Sequence, residues 1–126
     1  MAAVTVLDSS AVLAFLWGEP GADEVRQALA GGPAVCTVVN WAEVLAKIVR
    51  AGADPNAAAN VLTALGLRIE PVTKDDAEAA ATLWVAHQHL SLGDRFCLAT
   101  GMRFGGAVLT ADRACSSVLP TVHLIR

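Results

Sequence analysis

Apolar residues along this chain follow two rhythms. Short runs that are apolar or β-branched at nearly every position alternate with longer segments in which apolar positions recur every three or four residues. The first rhythm predicts strands buried on both faces, and the second predicts amphipathic helices. Val4-Thr5-Val6-Leu7 is the first strand, ending abruptly on Asp8-Ser9-Ser10; a helix follows from Ala11 to Leu16 or Trp17, with Ser9 or Ser10 able to cap it. After the break Gly18-Glu19-Pro20-Gly21, a second helix spans Ala22 to Ala30 and stops at Gly31-Gly32-Pro33. Ala34 to Val39 is the second strand. Asn40 then reads as the cap of a helix whose stripe is Trp41, Val44, Leu45, Ile48 and Val49, with Gly52 as its stop. Asp54-Pro55 starts the next helix, to about Leu65, and Leu67 to Val72 is the third strand. Thr73 to Asp76 has capping-box spacing, with a long helix to about His87 behind it. Ser91-Leu92-Gly93 is a turn, and Asp94 opens a helix through Phe104. Ala107 to Thr110 is the fourth strand, ending near Asp112, a turn or short helix covers Arg113 to Ser117, and Thr121 to Ile125 is the fifth strand.

Strands alternating with helices imply an α/β fold: a central parallel sheet of four to five strands, right-handed crossovers and helices on both faces. At 126 residues, one domain covering 1–126 with one core is expected. The composition is 55% apolar, yet no run approaches the roughly 18 residues of a membrane span, and the first residues lack a basic start followed by a signal-like core. The expectation is a soluble, cytoplasmic protein with no membrane partner. Cys36, Cys97 and Cys115 are odd in number and show no C-x-x-C spacing, so they read as buried small hydrophobes in a reducing compartment rather than as a zinc site. A formal charge of −3 speaks against a broad basic footprint for duplex nucleic acid, and leaves room for a local site or one recruited through metal ions. Abundant apolar surface predicts a hydrophobic interface with a partner. His87 and His89, two apart, have the wrong spacing for one helix face and read as helix-end residues. Trp17, Trp41 and Trp84 read as core or interface.

The acidic residues can then be sorted by position. Glu19, Asp23, Glu24, Asp54, Glu70, Asp75, Asp76 and Glu78 fall in turns, caps and helical surfaces, where solvation explains them. Four remain. Asp8 follows the first strand, Glu43 lies one turn into the helix after the second, Asp94 begins the helix before the fourth, and Asp112 follows the fourth. All four belong at the carboxyl edge of the sheet, where open α/β sheets bind ligands. Each also has a structural reading: Asp8 and Asp94 as helix caps, Asp112 as a turn former, Glu43 as the far end of an Asn40-Trp41-Ala42-Glu43 capping box. Together they are like charges at one edge, which repel unless a cation is bound among them. An all-oxygen set suits Mg²⁺ or Mn²⁺, and such ions serve phosphodiester displacement.

The strings Val6-Leu7-Asp8-Ser9-Ser10-Ala11, Asn40-Trp41-Ala42-Glu43-Val44, Leu92-Gly93-Asp94-Arg95 and Leu109-Thr110-Ala111-Asp112-Arg113 resemble the PIN-domain ribonucleases, in particular the VapC-type toxins of prokaryotic toxin–antitoxin pairs. The match covers essentially the whole chain, with motif order and intervals intact. The resemblance implies a PIN-like three-layer fold, Mg²⁺- or Mn²⁺-dependent endoribonuclease activity on structured RNA such as tRNA or rRNA, inhibition by a cognate VapB-type antitoxin, and a homodimer. It makes Asp8 and Asp94 the principal metal ligands, Glu43 a ligand or water-orienting base, and Asp112 a second-site or outer carboxylate. Ser10 and Thr110 would support the cluster by hydrogen bonds. Two positions depart from the family's pattern. Arg95-Phe96 follow Asp94 where small or aliphatic residues are common, and Cys115 stands where Trp is expected. Arg95 and Arg113 become candidate phosphate contacts.

Rival readings differ by single residues. A phosphate-accepting receiver domain wants paired acids after its first strand, where this chain has Asp8-Ser9; a haloacid dehalogenase-type phosphatase wants Asp at Ser10; a metal-dependent adhesion domain wants Ser at Val12. The alternative that survives is a PIN fold without catalysis, serving as a binding or regulatory module.

Overall fold

The computed structural model describes residues 3–126. Its strands are β1 (Thr5–Leu7), β2 (Ala34–Thr37), β3 (Leu67–Glu70), β4 (Val108–Thr110) and β5 (Val122–Leu124). Its helices are α1 (Ser9–Leu16), α2 (Ala22–Gly31), α3 (Val38–Arg50), α4 (Pro55–Ala64), α5 (Lys74–Ala86) and α6 (Leu92–Phe104). The strands form one parallel sheet in the order β3-β2-β1-β4-β5, with helices on both faces, as the alternating pattern predicts.

That order places the site. The chain steps outward from β1 through β2 to β3, then returns to the other side of β1 for β4 and β5. The order therefore reverses between β1 and β4, where the connections diverge and leave a crevice at the carboxyl edge. Asp8 and Thr110 stand at the ends of these two strands. Glycine lets the pair close at its other end, because a Cβ on Gly106 would run into the Val4 carbonyl.

Strand alternation divides the core between the two faces. Val6, Val35, Val108 and Val122 pack with Leu90, Cys97 and Leu98 beneath α5 and α6. Leu7, Cys36 and Leu109 face the other way, against Val12, Val25, Val44, Ile48 and Leu62 of α1 to α4. All three cysteines are free and buried, as expected.

Several element ends differ from the sequence-based expectation. The second strand stops at Thr37, and Val38 and Val39 form the first turn of α3. Thr37, rather than Asn40, is the cap: its Oγ1 accepts the Asn40 N–H at 3.0 Å. Satisfying that otherwise free donor outweighs the extended preference of two valines. Likewise α1 begins at Ser9, because Asp8 itself caps it by accepting the Ala11 N–H at 2.9 Å. The turn assigned to Ser91-Leu92-Gly93 is helical from Leu92, with Ser91 as cap and Asp94 as the third helical residue of a capping box. The Thr73–Asp76 box stands where its spacing places it.

Candidate active site

At the carboxyl edge the capping chemistry of α1 and the end of β4 fix Asp8 from both sides. Its Oδ1 accepts from the Ser10 hydroxyl at 2.7 Å and from the Ala11 N–H, and its Oδ2 accepts from the Thr110 hydroxyl. Ser10 Oγ in turn accepts the Ala111 N–H at 2.8 Å, and Thr110 Oγ1 accepts the Asp112 N–H at 3.0 Å. The carboxylate is 4% exposed. Burial pushes its pKa up, the Ser10, Thr110 and Ala11 hydrogen bonds pull it down, and the charge of Asp94 pushes it up again; the net shift is upward.

Asp94 reaches the same place from the first turn of α6. The Ser91 N–H donates to its Oδ2 at 3.1 Å, and Ser91 Oγ accepts the Asp94 N–H at 3.1 Å. The box holds the carboxylate by one oxygen. Cys115, on the turn after β4, completes a trio: one ligand atom each from Asp8, Asp94 and Cys115 lie within 4.8 Å of one another.

Glu43 and Asp112 fall outside that trio. Glu43 lies beside α6, where a Cβ on Gly93 would sit 2.6 Å from its Oε1, so only glycine leaves room for this carboxylate. Asn40, 1% exposed, sets its orientation. Its Nδ2 donates to Glu43 Oε1 at 2.9 Å and to the Gly93 carbonyl at 3.2 Å, and its Oδ1 accepts from Thr37 Oγ1 at 2.7 Å. Every polar atom of that amide is directed, which ties α3 to α6 across the site. Asp112 is exposed, and its Oδ1 accepts the Ala114 N–H at 2.9 Å as a turn former.

The two arginines part ways. Arg113 is exposed beyond Asp112. Arg95 turns toward α5, where its Nη1 donates to the Ala80 carbonyl at 3.3 Å. Sequence reasoning missed Asn40 as an orienting residue, Gly93 as a steric gap, Cys115 as a member of the cluster, and Arg126, whose Nε donates to the Ala111 carbonyl at 3.2 Å. Asn40 has a signal in its three-residue spacing from Glu43, the spacing of a capping box. Arg126 had none.

The family model for the PIN domain matches residues 5–118. This chain belongs to the PIN domain family. Solved structures share the fold over nearly its full length. A toxin–antitoxin complex from Klebsiella pneumoniae superposes with a TM-score of 0.75 at 21% identity, covering 97% of this chain and 98% of that one. The Mycobacterium tuberculosis toxin VapC20, described as cleaving the sarcin–ricin loop, gives 0.70 at 22% identity over 90% of this chain and 93% of its own. VapBC-5 of the same organism gives 0.66 at 24% identity, covering 99% of each chain. At these identities the likeness is one of fold. No curated protein matches the chain by sequence.

Within this PIN domain the donor set suits a divalent cation. Among the described residues, none of the ion pairs involves Asp8, Glu43, Asp94 or Asp112. The buried Asp8 charge is met by neutral hydrogen-bond donors alone, beside a second carboxylate. A bound cation relieves that repulsion.

Proposed function

We propose that this PIN domain, taken as one domain over 1–126, is a VapC-type toxin. In this reading it is a Mg²⁺- or Mn²⁺-dependent endoribonuclease that cleaves structured RNA such as tRNA or rRNA and is restrained by a cognate VapB-type antitoxin. The observation that carries the reading is the meeting of Asp8 and Asp94 at the reversal of strand order, with neither in an ion pair among the described residues. Asp8 and Asp94 hold the ion. When bound, it orients and acidifies a water and offsets charge developing on the scissile phosphate.

The chain's own groups do the rest. Ser10 and Thr110 keep both Asp8 oxygens in place, so the carboxylate needs no rearrangement on binding. Glu43, aimed by Asn40, accepts the proton of the attacking water. Asp112 at the rim is an outer carboxylate, and the exposed Arg113 meets an RNA phosphate. The formal charge of −3 leaves RNA affinity weak without the cation.

The antitoxin has a place to bind. Leu16, Trp17, Ile48, Ala57, Ala58 and Val61 line a groove of about 240 Å³ between α1, α3 and α4, which fits the apolar face of a partner helix. Leu62 of the same helix turns into the core, at 2% exposed. The toxin–antitoxin complexes that share this fold support such a partner, and homodimerisation belongs to the same reading. Among the described residues, no helix is long and apolar enough to cross a membrane; a cytoplasmic setting is part of the proposal.

The test is incubation of purified protein with total cellular RNA in Mg²⁺, Mn²⁺ or EDTA, beside Asp8→Ala and Asp94→Asn. Discrete metal-dependent fragments, reduced at least about 100-fold in both variants, are expected. Folded, antitoxin-free protein that cleaves nothing with either metal would instead identify a binding module, and an Asp94→Asn protein of full activity would remove Asp94 from the site.

A further inference from the structure

The cluster at the sheet edge holds one donor that an oxygen-preferring ion does not use. Cys115 is 2% exposed and packs at the border of the apolar cluster beneath α6, with its sulfur within 4.8 Å of an oxygen of each carboxylate. The thiol has the Asp94 carboxylate as its hydrogen-bond partner. The turn that carries it is held in place: the Cys115 N–H donates to the Asp112 carbonyl at 3.2 Å, the Ala114 N–H donates to Asp112 Oδ1, and a His89 ring nitrogen lies 3.1 Å from the Ala114 carbonyl. The thiol is thus a fixed, buried group aimed at the two carboxylates.

We infer that Asp8, Asp94 and Cys115 form a mixed oxygen–sulfur site for a thiophilic divalent cation of the Zn²⁺ or Co²⁺ class, which competes with Mg²⁺ or Mn²⁺ for the same two carboxylates. The inference rests on the reading of Asp8 and Asp94 as metal ligands and adds a third. In a tetrahedral shell, bonds of about 2.0 to 2.3 Å to one ion set its ligand atoms about 3.3 to 3.8 Å apart. The trio, within 4.8 Å, reaches that spacing by side-chain closure of up to about 1.5 Å. Coordination forms two metal–oxygen bonds and one metal–sulfur bond; the S–H bond breaks with its electron pair left on sulfur, and the proton passes to the buffer. Mg²⁺ takes oxygen donors and dehydrates reluctantly, so it leaves the thiol protonated and unbound. The thiophilic ion therefore has a ligand at this site that the hard ion lacks.

The experiment is titration of the metal-free full chain with Co²⁺, read by the sulfur-to-cobalt charge-transfer absorption, with Mn²⁺ binding followed separately by electron paramagnetic resonance. The expected result is a thiolate band that saturates at one ion per chain and is suppressed by competing Mn²⁺. Cys115→Ser and Cys115→Ala should lose the band and weaken Co²⁺ binding by more than about 10-fold, the loss that even outer partners of a metal cause, with Mn²⁺ binding retained. Cys36→Ala and Cys97→Ala should keep the band. Mn²⁺ binding without a thiolate band from Co²⁺ would overturn the sulfur ligand and leave the carboxylate site standing. Failure of the wild-type chain to bind either ion would overturn both. A band that survives both Cys115 substitutions would assign the sulfur elsewhere and overturn the inference.

Discussion

Gly93 carries as much of the site as the carboxylates around it. It belongs to the first turn of α6, where alanine ordinarily stabilises a helix by up to about 1 kcal/mol. Here the added methyl would meet the Glu43 carboxylate at 2.6 Å and push it off the position that Asn40 sets. Gly93→Ala is therefore expected to lower cleavage by about 100-fold, the cost of a displacement of about 1 Å at a reacting group, while the unfolding midpoint shifts little. Cleavage rates and thermal melts of the same preparations check this. A large loss of stability at intact activity would show that Gly93 serves packing rather than Glu43. Asp8 and Thr110 make a related point, since the hydroxyl that anchors the buried carboxylate lies 102 positions away in the chain.

At the scale of elements, α5 and α6 are pinned by a pair that has no part in the chemistry. Arg103, in the last turn of α6, donates through Nε to Asp76 Oδ1 at 2.9 Å and through Nη2 to Asp76 Oδ2 at 3.1 Å. Asp76 is also the capping-box partner of Thr73 at the start of α5. Burial alone would raise the Asp76 pKa, but the Arg103 hydrogen bonds, the Thr73 N–H and the Arg103 charge hold it below the usual carboxylate range. The unfolded chain, with Asp near 3.9, then binds more protons than the native one between the depressed value and about 4. The pair's stabilisation is present above that window and is lost as pH falls through it. Arg103→Met should cost about 2 kcal/mol near neutral pH, by leaving Asp76 buried without its cation. It should also flatten the acid limb of stability against pH. Denaturant melts from neutral pH to about pH 3 decide the matter, and parallel curves for variant and wild type would count against it.

For the whole molecule, the separation of two surfaces is the functional statement. The acidic crevice opens at the carboxyl edge between β1 and β4, whereas the apolar groove lies between α1, α3 and α4. Trp17 and Val61 remain 46% and 49% exposed there, more apolar surface than solubility favours. Val61→Glu should abolish co-purification with a cognate antitoxin and relieve inhibition, while cleavage by the isolated chain stays within about twofold of wild type, since a surface change away from the site leaves the fold intact. Loss of intrinsic cleavage in this variant would mean that the groove and the crevice are not independent. Trp84 and Val85 at the end of α5 and Leu92 at the start of α6 are exposed as well.

The alternation of buried runs with helical stripes was enough to determine the parallel sheet, the helices on both faces and the edge at which Asp8, Asp94 and Asp112 gather, because burial on two faces and right-handed crossovers leave few topologies open. Helix starts were less legible. A run such as Cys36-Thr37-Val38-Val39 is β-branched on both sides of its boundary, and the position of the cap was decided by which hydroxyl met a free N–H. Tertiary structure alone decided the content of the site. It placed Cys115 against the two carboxylates, turned Arg95 toward α5 and tied Asn40 to the Gly93 carbonyl of α6. Local sequence specifies which face a side chain takes and which donors its own turn leaves free; which of two distant groups it meets depends on the packing of α6 against α3 and on the turn after β4, contacts between segments far apart in the chain.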